Sequence, residues 1–172
     1  MSPQPPKLSR ETWSSHPHWP NQVLLLGSHE NFRDISAFLV KQAELAGQGW
    51  GWQAIEHLLR RWVGAMRSHE SYEEHKLYPY LEHRWGLDFA PCQLGHVALH
   101  GAYDAALSVL REGEDKPDAW ANLAKALQRH DEVLGAHLDI EEDVVIPALL
   151  AMEPAEFERY TALPLDQLLP PS

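Results

Sequence analysis

Three pairs of metal-binding side chains stand four residues apart in this chain: His69 with Glu73, His96 with His100, and His137 with Glu141. Residues at that spacing lie roughly 40° apart around a helix and one turn along it, so both can reach one ion or two adjacent ions. His29 adds a single histidine upstream. Taken alone, a histidine on an apolar face is more often a hydrogen-bonded core residue than a ligand. Glutamate differs, because it is almost never fully buried unless it is paired or bound to a metal. Five histidines and two glutamates on inward faces make a costly core without a cation, and metal coordination removes that cost.

The second and fourth of these stretches look like copies of one unit. HESYEEHKLYPYL from His69 aligns with HLDIEEDVVIPALL from His137 at a constant offset of 68. The matches are His69 with His137, Glu73 with Glu141, Glu74 with Glu142, Pro79 with Pro147 and Leu81 with Leu149. A pseudo-twofold pair of carboxylates is what a two-metal site needs, since each can bridge the ions from opposite sides.

The elements that must position these residues read as helices. Residues 1–20, rich in Pro, Ser and Trp, read as an irregular arm. A helix follows over about 21–46, with Leu25, His29, Phe32, Ser36 and Leu39 on one face, ending at Gly47, Gly49 and Gly51. A second runs over about 52–84, its inner face carrying Leu59, Trp62, Met66, His69, Glu73 and Leu77; Pro79 should bend it or loosen its last turns. A third starts near Pro91, presents His96, His100, Tyr103, Leu107 and Leu110, and stops at Gly113. The fourth begins near Asp118, a plausible N-cap, and continues to about Met152 with Leu123, Leu127, His130, Leu134, His137, Glu141 and Val145 inward. A short amphipathic piece over about 154–160 precedes a Pro-rich tail. No stretch shows the two-residue alternation of a strand. The expected fold is all-α: an up-down-up-down four-helix bundle over residues 21–152, with the arm at 1–20 and a C-terminal extension at 153–172.

Composition narrows the function. A formal net charge of -11 repels nucleic acid and anionic membrane. The one cysteine, Cys92, excludes an intramolecular disulfide and fits a reducing compartment. The N-terminus lacks the apolar region of a secretory signal, and no apolar run has the length of a membrane span, so the expected location is cytoplasmic. Two alternative chemistries fail on spacing. No glutamate lies three residues before a histidine, as ferritin-like di-iron proteins require, and the H-E-x-x-H of zinc proteases is absent.

The order of motifs resembles the hemerythrin-like, or HHE cation-binding, family. The resemblance rests on His29 in an L-L-G-S-H-E-N-F-R context, on His69 and Glu73 leading into L-Y-P, on the H-x-x-x-H of His96 and His100, and on His137 and Glu141 leading into V-I-P. It covers about residues 21–150. It implies a four-helix bundle holding a non-haem di-iron centre by five histidines and two bridging carboxylates. It further implies reversible oxygen binding, sensing of oxygen or iron, or handling of nitric oxide and peroxide. In the oxygen carriers of this family the last acid is an aspartate five residues after its histidine, a place taken here by Glu142. The internal repeat favours Glu73 and Glu141 as the bridges; Glu74, Glu142 and Glu70 remain alternates.

Seven ligands are too many for one tetrahedral zinc and fit two metals of higher coordination, with a bridging oxide or hydroxide. One position then stays open for a small diatomic such as O2 or NO. Iron is the expected metal, with zinc or manganese as alternatives. A binding or sensing protein is favoured over a di-iron redox enzyme, and a metal-free interaction module is the bland alternative. The chain is expected to act as a monomer or small homo-oligomer. Among the other histidines, His130 reads as core packing or a neighbour of the site, and His57 and His75 as surface. His83 falls on the His69 face but too far along for the same site, and His16 and His18 lie in the arm. Gly95 and Gly101 flank the third-helix pair, where they either admit a neighbouring helix or merely cost helix stability.

Overall fold

The structure is a computed structural model that describes residue 5 and residues 7–169. The ends of the expected arm and tail, residues 1–4, 6 and 170–172, lie outside the described residues. Among the described residues every regular element is helical. In chain order these are α1 (Arg10–Trp13), α2 (Leu25–Glu44), α3 (Trp52–Tyr72), a π-helical turn (Glu73–Leu77), α4 (Tyr78–Trp85), α5 (Ala90–Glu112), α6 (Ala119–Leu150), α7 (Pro154–Ala162) and α8 (Leu165–Leu168).

The arm is less irregular than its composition suggests. Its short helix α1 buries Trp13, and Arg10 reaches across to Asp143, Glu142 and Asp139 on α6. The tail likewise contains the short helix α8. Asp118 stands before α6 as expected, but in a left-handed conformation and without a side-chain capping bond.

The expected second helix is interrupted. Pro79 has no N–H to give to the carbonyl four residues back, and the turn before it is a wider π-helical one. Within that turn the Tyr78 backbone N–H donates to the Glu73 carbonyl, a five-residue step. The equivalent Pro147 sits inside α6 without such a turn. The extra residue rotates everything beyond it, and so corrects one expectation: His83 does not share the His69 face but is exposed.

The apolar residues form two clusters, each met by every long segment. One gathers Phe32, Leu39, Leu59, Trp62, Met66, Leu99, Tyr103, Leu127 and Leu134. The other gathers Leu77, Tyr78, Leu81, Phe89, Cys92, Val145, Ile146 and Leu149, with Val23 and Tyr160. The candidate ligands lie between the two. In α2, His29 falls between Leu26 and Phe32; in the α3–α4 segment, His69 and Glu73 fall between Met66 and Leu77. In α5, His96 falls between Cys92 and Leu99, and in α6, Glu141 falls between Leu138 and Val145. Helix α6 packs against both α2 and α5, while α3 touches α2 and α5. A polar layer is thus walled by apolar side chains above and below, which keeps bulk water from its charges.

Candidate metal centre

Glu73 lies at the middle of this layer. It is 1% exposed, and its two oxygens face different histidines. Oε1 is 2.6 Å from His69 Nε2 and 3.8 Å from His29 Nε2, while Oε2 is 3.4 Å from His96 Nε2. Glu141, fully buried, places Oε2 at 3.6 Å from His29 Nε2 and 3.7 Å from His137 Nε2. Its Oε1 accepts a hydrogen bond of 2.6 Å from the Tyr78 hydroxyl. One atom each of His29, His69 and Glu73 lie within 4.8 Å of one another.

These separations suit metal ligands. Two donors each about 2.1 Å from one ion stand roughly 3 Å apart at a right angle and at most about 4.2 Å apart. The His29 and His69 Nε2 atoms are 3.0 Å apart, and every nitrogen–oxygen distance above is within that limit. The hydrogen-bond inventory agrees. Both oxygens of Glu73, Oε2 of Glu141, Nε2 of His96 and both ring nitrogens of His137 are buried without a hydrogen-bond partner. Glu73 Oε1 and His69 Nε2 are close but not aligned as donor and acceptor, as lone pairs aimed at a shared cation would be. The donor set therefore fits a cation.

An outer ring of carboxylates orients the histidines. Glu142 Oε1 is 3.0 Å from His29 Nδ1, and Glu74 Oε1 is 2.7 Å from His96 Nδ1. A carboxylate on the far nitrogen fixes which face of an imidazole points inward. Glu74 and Glu142, the alternates to Glu73 and Glu141, are thus placed behind the histidines rather than among them. Arg33 and Arg10 hold Glu142 in turn, at 2.7 and 3.0 Å. His100 stands apart from the inner group. Its side chain is 42% exposed and its Nε2 contacts Glu70 Oε2 at 2.6 Å. Glu70, next to His69, is itself buried with Oε1 unpartnered.

The layer's electrostatics follow from burial set against opposite charge. Burial favours neutral His29 and His96, yet Glu142 and Glu73 around His29, and Glu73 and Glu74 around His96, raise both to about 9. Burial resists ionisation of Glu73 too, but His29, His69 and His96 hold it well below the usual carboxylate range. Glu141 is pushed up to about 8 by burial and by the charge of Glu73. His137 is lowered to about 4 by burial and by the charge of His96.

Other histidines sort as follows. His57 and His75 are exposed, as expected. His130 is fully buried, its Nδ1 3.2 Å from Ser36 Oγ and its ring packed on Trp62 and Tyr103. His18 in the arm bonds the Leu150 carbonyl.

Gly95 and Gly101 have different reasons to be glycine. A Cβ on Gly95 would collide with His137 Nδ1, whereas a Cβ on Gly101 would meet nothing within 4 Å. Gly95→Ala is therefore expected to displace the His137 ring and lower metal content measured by elemental analysis. Gly101→Ala should leave metal content unchanged and raise stability by about 0.5–1 kcal/mol, read from denaturant unfolding.

Neither the comparison with curated proteins nor that with solved structures gives a match. Residues 23–92, the stretch that carries His29, His69 and Glu73, match the family model described as hemerythrin HHE cation binding domain, the same family that the motifs resemble.

Proposed function

We propose that this protein holds a dinuclear non-haem metal centre, with iron as the metal, inside an up-down-up-down four-helix bundle, and uses it to bind or sense O2, NO or iron itself. The observation that carries the reading is Glu73, whose two oxygens face two different sets of histidines in a buried layer. The alternating order in which successive helices meet the two apolar clusters supports the bundle topology.

One ion is assigned to His29 and His69, the other to His96 and His137, with Glu73 and Glu141 between them. His100, whose Nε2 contacts Glu70 in this structure, would be the fifth histidine, available to the second ion. When bound, such a pair of ions supplies an open coordination position and redox chemistry for a small diatomic. The chain's own residues do the rest. Glu74 and Glu142 orient imidazoles, and the two apolar clusters exclude water. No helix among the described residues is long and apolar enough to cross a membrane. We assign the protein to the cytoplasm on the lone thiol of Cys92, which fits a reducing compartment.

Elemental analysis of untagged protein tests the reading. About two irons per chain is the expected result. Two zincs or manganese would keep the site and remove the oxygen chemistry. No metal, even after anaerobic iron is offered, would overturn it in favour of a metal-free helical interaction module.

A further inference from the structure

The repeat with an offset of 68 makes Glu73 and Glu141 equivalent in sequence, but their surroundings differ. Neither oxygen of Glu73 has a hydrogen-bond partner. Glu141 has one oxygen free and one engaged: Oε1 accepts from the Tyr78 hydroxyl at 2.6 Å, and Oε2 alone faces His29 and His137. The asymmetry is written into the two copies. Tyr78 occurs in the first, and its counterpart in the second is Ile146, which offers no hydroxyl to Glu73.

The π-helical turn makes the contact possible. In an α-helix a residue five positions after Glu73 would point about 140° away from it. In the wider turn, residues five apart come into line, so Glu73 and Tyr78 both reach the polar layer. The Tyr78 ring is then clamped. It stacks on Phe89 with centroids 4.3 Å apart and planes within 8°, and lies 6.0 Å from the His96 ring. The hydroxyl has little freedom to leave Glu141. The Tyr78 hydroxyl takes up one of the two lone pairs of Glu141 Oε1, and once a metal has displaced the Glu141 proton the bond becomes charge-assisted and competes with metal binding through that oxygen.

We propose that Tyr78 is a positioning residue that confines Glu141 to metal binding through Oε2 alone, leaving Glu73 as the one carboxylate that spans both ions with both oxygens. The proposal rests on the dinuclear reading above. Two carboxylates made alike by the repeat are given different bonding by one phenol. The phenol forms no bond to a metal itself; it keeps its proton and shares it with Glu141.

Infrared spectroscopy of the zinc-loaded protein, with glutamate carboxyls labelled by carbon-13, tests this without redox chemistry. A carboxylate bound through one oxygen shows widely separated antisymmetric and symmetric stretches, and one bridging through two oxygens shows closely spaced stretches. The zinc-minus-apo difference spectrum of the native chain is expected to contain one pair of each kind. In Tyr78→Phe, which keeps the ring on Phe89, the wide pair is expected to vanish and a second narrow pair to appear. Two zincs bound with identical spectra in both proteins would overturn the role of Tyr78 and leave the dinuclear centre standing. Fewer than two zincs in the native chain would overturn both. Should Tyr78→Phe fail to fold, the native spectrum decides alone, since the absence of a wide pair there contradicts the proposal.

Discussion

Glu73→Ala is expected to abolish metal binding, because its two oxygens are the ones that face His69 on one side and His96 on the other. Glu141→Ala is expected to have a similar effect through the loss of Oε2 between His29 and His137. Both variants lose the part of their thermal stability that depends on metal, since binding to such a site adds to folding free energy. The outer carboxylates provide a graded control. Glu74→Ala removes the partner of His96 Nδ1, and Glu142→Ala removes the partner of His29 Nδ1 together with the ion pairs to Arg10 and Arg33, while both inner carboxylates stay in place. Loss of an orienting partner costs about 10–100-fold in metal affinity rather than the whole site. His57→Ala, at an exposed position, leaves metal content unaltered. Metal titration followed by elemental analysis orders these variants. Full metal content in both Glu73→Ala and Glu141→Ala would show that the inner carboxylates are misassigned.

That ordering was partly legible in the sequence. The helical period alone puts His29, His96, His137, Glu73 and Glu141 on inner faces, and all five are buried. The four-residue spacing set Glu73 and Glu141 on the faces of His69 and His137, and in the structure Glu73 and Glu141 lie beside the inner nitrogens of the histidines, whereas Glu74 and Glu142 contact the far nitrogens of His96 and His29. The π-helical turn was harder to see. A proline inside a helical pattern announces a disturbance, but Pro79 and Pro147 stand in matching contexts and only the first is preceded by a widened turn. The position of Tyr78 against Glu141, and the exposure of His83, depend on that turn. Contacts between distant segments left no local signal at all. Arg10 and Arg33 converge on Glu142 from residues 132 and 109 positions away, and no periodicity encodes such a meeting. His100 shows a further limit: its spacing from His96 is that of an inward pair, but Glu70 holds its ring toward the rim.

Metal binding is expected to release protons at neutral pH and to strengthen as pH rises toward about 9. His29 and His96 are held protonated up to about 9 by Glu142, Glu73 and Glu74 despite burial, and burial beside Glu73 keeps Glu141 protonated up to about 8. A metal must displace these protons, because only the neutral imidazole and the carboxylate are ligands. His137, lowered to about 4, is already neutral and releases none. The sign for stability without metal is opposite. A histidine raised from 6.5 to about 9 contributes stability that is fully present below 6.5 and lost as pH rises through about 9. The metal-free fold therefore weakens over the range where the ligands become free, and the rise in Tm on adding zinc grows between pH 6.5 and 9. Calorimetric titration in two buffers of different ionisation enthalpy measures the protons released. Glu142→Ala lowers the count by removing the charge that holds the His29 proton. A proton count of zero at pH 7 would mean that His29, His96 and Glu141 have already lost their protons before metal arrives, against the shifts their surroundings give them.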